Sequence, residues 1–195
     1  MGLFPELSKF FVSYGQYHND MTNKLIHMVC IPSIVFTLAN MLQFTGWYMN
    51  FDGSENQTLL TVNIPLLLIS VLCLCYINVD AVSGFVSTVV YSLGYMYGRS
   101  LYLVAIKNDT TDNFWKLNLA INIVGWILQF VGHGVFEGRK PALMDNLLLT
   151  LVAPDFVTIE ILFALGWRKD MHEKCQNEID QILADIRKEK ALKAE

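Results

Sequence analysis

Charge is scarce in this chain. Only 16% of its 195 residues are Asp, Glu, Lys or Arg, while 53% are hydrophobic; a soluble domain is about a quarter charged. That excludes an ordinary water-facing surface. The net charge is −4, and the positive residues are scattered or gathered in the C-terminal tail, so no basic patch exists for nucleic acid. Cysteine is sparse as well. Cys30, Cys73, Cys75 and Cys175 form no disulfide framework, since two of them lie one residue apart in an apolar run. They read as reduced packing residues. The N-terminal stretch carries Glu6, Lys9 and Asp20 without a clean apolar core, so a cleavable signal peptide is not expected.

What the chain has instead is long apolar runs. Crossing a bilayer takes about 20 mostly apolar residues. Four segments qualify: Leu25 to Met49, Leu59 to Val79, Ala81 to Ile106 and Phe114 to Phe136. A tight turn at Asn78-Val79-Asp80 makes the second and third an antiparallel hairpin. A fifth stretch, Leu143 to Trp167, is interrupted by Ala153-Pro154-Asp155 and carries Glu160. It reads as two short helices in or dipping into the interface, because irregular backbone at depth must be covered by protein. The expected fold is an all-α integral membrane bundle. It has four transmembrane helices, a fifth interrupted or re-entrant segment and a C-terminal cytosolic helix. Residues 1–169 form one membrane-embedded domain and 170–195 the charged tail.

With the N-terminus cytosolic, eleven positive residues fall on the cytosolic side (Lys9, Lys24, Arg139, Lys140, Arg168 and six more in the tail). Arg99, Lys107 and Lys116 fall on the other. The positive-inside rule therefore puts both termini in the cytosol. The sequons Asn56-Gln57-Thr58 and Asn108-Asp109-Thr110 land in the non-cytosolic loops.

Histidine is rare too, with four residues. His18 precedes the first span, His27 lies at its cytosolic end, and His133 lies at the cytosolic end of the fourth. All three occupy one membrane face. On a straight helix His18 and His27 would point apart at about 100° per residue. They converge only if Asn19 to Asn23 turns the chain, with Thr22 or Asn23 as helix N-cap. On the fourth span Asn118, Asn122, Gln129, His133 and Glu137 form one polar ridge that should face the bundle interior. Two readings stay open at this point. Imidazole favours iron, copper and zinc, yet a lone interfacial histidine is more often a satisfied polar residue, and Asn118 and Asn122 suit interhelical glue. His172 reads as a solvated tail residue. Arg99 should snorkel to the headgroups or pair with Asp109 or Asp112. Gly84, Gly94 and Gly98 suit close helix packing. In the tail, Ile179, Ile182, Leu183 and Ile186 share one stripe, as on a surface helix.

The stretches Tyr14-Gly15-Gln16-Tyr17-His18, Asn23-Lys24-Leu25-Ile26-His27 with Ile31-Pro32, and Gln129-Phe130-Val131-Gly132-His133 with Phe136-Glu137 form a set. Together with Pro141-Ala142-Leu143, Pro154-Asp155-Phe156 and Glu160-Ile161-Leu162-Phe163, they resemble the fungal 2-hydroxy fatty acid dioxygenases, endoplasmic-reticulum membrane proteins. The resemblance runs from about Tyr14 to Trp167. It implies Fe(II)-dependent α-oxidation, in which dioxygen and a long-chain 2-hydroxy fatty acid give the acid one carbon shorter and carbon dioxide, in phytosphingosine breakdown. It implies His18, His27 and His133 as iron ligands, and leaves open whether Glu137 and Asn23 are ligands or support them.

The residues are compatible with that chemistry. A three-histidine face leaves positions for dioxygen and for the substrate's carboxylate and 2-hydroxyl. Glu137 is placed to orient His133 or accept a proton, and Arg139 and Lys140 to attract the carboxylate or anchor the helix. The apolar groove between spans would take the alkyl chain. A non-catalytic membrane adaptor or lipid-binding protein is the alternative, followed by a small transporter. Oligomeric state is not legible.

Overall fold

The structure, a computed structural model, describes residues 6–51, 57–141 and 147–194. Asn56 of the first sequon, and Ala142 and Leu143 of the Pro141 motif, lie outside them. The described residues are all-helical apart from a two-residue antiparallel ribbon. The helices are α1 (Leu7–Gly15), α2 (Met21–Leu42), α3 (Ile64–Val79), α4 (Ala81–Lys107), α5 (Thr111–Val131), α6 (Leu147–Ala164) and α7 (Lys169–Ala194). The ribbon pairs β1 (Tyr48–Met49) with β2 (Val62–Asn63) in the α2–α3 connection.

Among the described residues, two helical segments are long and apolar enough to cross a membrane, Met21–Thr45 and Thr111–Glu137. They are the first and fourth of the expected spans, and α2 packs against α5. The other two expected spans are present as helices of different character. α3 is apolar but only 16 residues long, about 24 Å at 1.5 Å per residue. α4 has 27 residues but carries many serines, tyrosines and Arg99. The two helices form the expected hairpin. Asp80 alone links them and caps α4, its Oδ1 accepting from the N–H groups of Val82 (2.9 Å) and Ser83 (3.2 Å). Gly84 makes the close approach possible, since a Cβ there would overlap the backbone of Tyr76.

Three expectations are corrected. The fifth apolar stretch is not two short helices: α6 is one helix that runs through Pro154. Its neighbours hold it there. Ser83 and Ser87 of α4 donate to the Asp155 carboxylate at 3.2 and 2.7 Å, the Tyr91 hydroxyl reaches the Pro154 carbonyl at 3.4 Å, and Val152, Phe156 and Ile159 are fully buried. Arg99 neither snorkels nor pairs with an aspartate. It is buried, and its guanidinium donates to the Thr58 carbonyl (3.1 Å from both Nε and Nη2) and to Gln43 Oε1 (2.8 Å). The connection that returns from α2 to α3 brings those acceptors inside. Finally, Asp20 caps α2, not Thr22 or Asn23, because its Oδ1 accepts from the N–H groups of those two residues at 2.8 and 3.0 Å.

The chain turns sharply after α6, and α7 leaves at 116° to it. Gly166 (φ 92°) and Arg168 (φ 47°) make that corner, and Arg168 bonds Asp80 at 2.8 Å. α7 then lies on α1. Of its apolar stripe, Ile179 and Leu183 are buried with Cys175, while Ile182 is half-buried. Ile179 sits where a Cβ on Gly15 would be. α1, α6 and α7 thus share a core built on Phe10, Phe11, Phe156, Ile159 and Phe163, and it closes over the histidine end of α2 and α5.

Candidate metal centre

His18, His27 and His133 come together in space, each under 5% exposed. Their possible ligand atoms all lie within 4.8 Å of one another. The rings meet edge to face, with centroids 4.5 to 4.8 Å apart. Each arrives from a different piece of chain. α1 ends at Gly15, and two tight turns (Tyr17 N–H to Tyr14 O and His18 N–H to Gly15 O, both 3.0 Å) swing His18 inward. His27 lies in the second turn of α2. His133 sits in a π-helical turn, Gly132–Glu137, that continues α5; such local widening recurs at functional sites.

Hydrogen bonds orient two of the rings. His18 Nδ1 lies 3.0 Å from the Tyr14 carbonyl and His27 Nδ1 lies 2.9 Å from that of Asn23. A carbonyl only accepts, so both Nδ1 atoms carry the proton and both Nε2 atoms present lone pairs. Tyr14 adds a stack: its ring lies 3.9 Å from that of His18 and 4.3 Å from that of Phe156. Burial holds His18 well below the usual imidazole value, with nearby His27 adding to it. The ring is therefore neutral at pH 7, the form that binds metals.

The fit to a metal ion is good. His27 Nε2 and His133 Nε2 face each other at 3.1 Å. Two nitrogens held about 2.1 Å from one ion at a right angle are about 3.0 Å apart. Donation of the remote ring N–H to a backbone carbonyl is the usual support of a metal-bound imidazole. His133 Nδ1 has no hydrogen-bond partner, so the third ring lacks that support and its polar contact is with His27 at Nε2.

Glu137 and Asn23 lie beside this cluster in supporting positions. The Glu137 carboxylate turns to the α1–α2 connection: it accepts from the backbone N–H of Asn19 (3.0 Å) and Asp20 (2.9 Å) and from Asn23 Nδ2 (3.1 Å). It thereby ties the end of α5 to the turn that carries His18. Asn23 is fully buried, and its Oδ1 occupies the place a Cβ on Gly132 would take. Arg139 donates to the Gln16 carbonyl and stacks on Tyr17, 5.3 Å from the ring centre, so it too serves this turn. Lys24 pairs with Glu160 at 3.0 Å, joining α2 to α6. His172 is outside the cluster and is not solvated as expected. It is half-buried against Phe163 (4.6 Å, stacked) and the edge of Phe11.

The inward ridge on α5 divides by role. Asn118 accepts from Asn40 (2.8 Å) and Asn122 donates to Thr37 (2.9 Å), fastening α5 to α2. Gln129 and His133 instead face a cavity of about 220 Å³ between α2, α3, α5 and α6. Its walls are mainly apolar, with Ile31, Ile34, Leu38, Leu72 and Phe130 among them, and His18 is part of its wall as well. Sequence reasoning gave no role to Gly132, Tyr14 or Asp20, although the first two stand in the motifs quoted above and Asp20 lies in the expected turn.

Residues 4–165 match the family described as 2-hydroxy-palmitic acid dioxygenase Mpo1-like. The chain belongs to this family. A 2-hydroxy-palmitic acid dioxygenase of Saccharomyces cerevisiae is 32% identical over 168 residues, covering 86% of each chain. No solved structure matches. All three clustered histidines, Asn23 and Glu137 fall within the matched region, as does the cavity.

Proposed function

We propose that this protein is an Fe(II)-dependent dioxygenase of a multi-pass endoplasmic-reticulum membrane protein type, acting on a long-chain 2-hydroxy fatty acid. The substrate R–CH(OH)–COOH and O2 would give R–COOH, CO2 and water, which balances without a further reductant. The observation that carries this is the convergence of three buried imidazoles beside an apolar cavity. Membership of a family described as 2-hydroxy-palmitic acid dioxygenases supports the substrate class.

His18, His27 and His133 would hold the iron, which supplies a site where dioxygen and the substrate head bind side by side. The protein's own contribution is placement. Tyr14 and Asn23 carbonyls keep two rings in the ligating tautomer. Glu137 positions the α1–α2 turn, with Asn23 beside it. The cavity takes the alkyl chain and excludes water from it. The outward faces of α3 and α4 are apolar, with Leu67, Val71 and Leu74 on one and Phe85 and Leu93 on the other exposed. Such faces suit lipid, which supports four membrane-crossing helices, and the charge asymmetry supports both termini, and with them the site, on the cytosolic side. An amphiphile then keeps its head near water while its tail stays in hydrocarbon. Residues 1–169 form the catalytic unit in this reading, and 170–195 the cytosolic tail helix.

Purified protein loaded with Fe(II) without air, then given 2-hydroxypalmitate and O2, is expected to yield the 15-carbon acid and CO2. No product from metal-loaded, folded protein would favour a non-catalytic lipid-binding role.

A further inference from the structure

Besides His133 Nδ1, two polar groups among the described residues of the cavity wall have no partner of their own. Gln129 is buried, and its Nε2 donor makes no hydrogen bond. Thr150 lines the same cavity from α6, and its hydroxyl is likewise unpaired. A buried polar group left unpaired is costly, and native proteins carry few of them. Elsewhere on the same ridge the asparagines are matched to partners on α2. Gln129 is one helical turn before His133, so its amide reaches the cavity on the histidine side. No lysine or arginine is among the described residues that line the cavity.

We infer that Gln129 and Thr150 bind the 2-hydroxyl of the substrate and set the preference for a 2-hydroxy acid over the unsubstituted acid of equal length. The assignment rests on the function proposed above and deepens it. Charge decides which part of the head these groups receive. A carboxylate brought into an apolar cavity needs a cation, and the wall offers only the metal the histidines would hold. A hydroxyl is neutral and both donates and accepts. It is matched by an amide and a threonine hydroxyl, which are neutral and do the same. A site built to hydrogen-bond a substrate hydroxyl rejects the analogue lacking it, because its own buried groups are then left unpaired.

The test uses Gln129→Met and Thr150→Val, which keep side-chain size and remove the polar atoms, in full-length, Fe(II)-loaded protein kept free of oxygen. Binding of 2-hydroxypalmitate and of palmitate is followed by quenching of tryptophan fluorescence, since Trp126 lines the cavity. Each variant is expected to keep its iron and its affinity for palmitate, and to bind 2-hydroxypalmitate about tenfold more weakly than the parent. With O2 admitted, KM for the hydroxy acid should rise by a similar factor. Unchanged preference in both variants would overturn the assignment, and so would an equal loss for the two acids. If one variant fails to fold, the other decides, as they lie on different helices. Failure of the parent protein to turn over 2-hydroxypalmitate would count against the proposed reaction instead. The binding preference is measured without turnover and stands or falls separately.

Discussion

At the scale of single residues, the centre depends on groups that never touch a ligand. Gly132 is one. A Cβ there would collide with Asn23 Oδ1, and Asn23 carries the carbonyl that orients His27. Gly132→Ala should therefore push α2 and α5 apart at the site, costing about 1–3 kcal/mol. Thermal unfolding in detergent, read beside iron content, checks this, and both should fall. Glu137→Gln removes the charge that gathers three donors at the α1–α2 turn. Loss of such a support typically weakens metal binding about 10- to 100-fold. A competitive Fe(II) titration would show it, and unchanged affinity would mean the turn holds without Glu137. The placing of the three histidines on one face was legible from the apolar runs and charge pattern, while their reading as metal ligands came from the family resemblance. The pocket of His172 was not, since it needs Phe11 of α1, far off in sequence, and a sharp corner after α6 that brings Phe163 back against it.

At the scale of elements, the polar ridge of α5 was legible because a 3.6-residue period is written directly in residue spacing. Its buried face holds Asn118, Gly125 and Gln129, as that period requires. The turn between His18 and His27 was also forced by helical phase. The continuity of α6 was not readable. Pro154 lacks an N–H and locally argues for a break, but Ser83, Ser87 and Tyr91 on α4 hold the helix together across it, and no local pattern reports them. The tail stripe was visible, while its partner α1 was not, since that contact joins opposite ends of the chain. Ile179 is 1% exposed and packed on Gly15, so Ile179→Ala should cost about 2–4 kcal/mol. The midpoint of thermal unfolding should drop while iron per chain stays constant. A surface helix with no docking role would show no drop.

At the scale of the whole molecule, hydropathy places the apolar mass, and the proposed orientation rests on charge asymmetry. The helical class followed from the first. Two segments meet the length and apolarity that a crossing needs, and α3 and α4 present exposed apolar side chains around them. Why α3 is short was not legible: hydropathy alone extended the helix back to Leu59, where the chain instead forms β2 and the Thr58 carbonyl is held by Arg99. Eleven cytosolic positive charges against three predict that tags on either terminus are cut by protease added to sealed microsomes. A C-terminal tag protected until detergent is added would place the histidines on the wrong face.

The central claim is that three histidines from α2, the turn before it and the end of α5 hold one iron. Metal content of the purified chain after Fe(II) loading without air tests it most directly. Close to one iron per chain is expected, falling to near zero in His27→Ala and in His133→Ala while His172→Ala keeps its iron. Equal iron in all four proteins, or none in the unmodified chain, would contradict it.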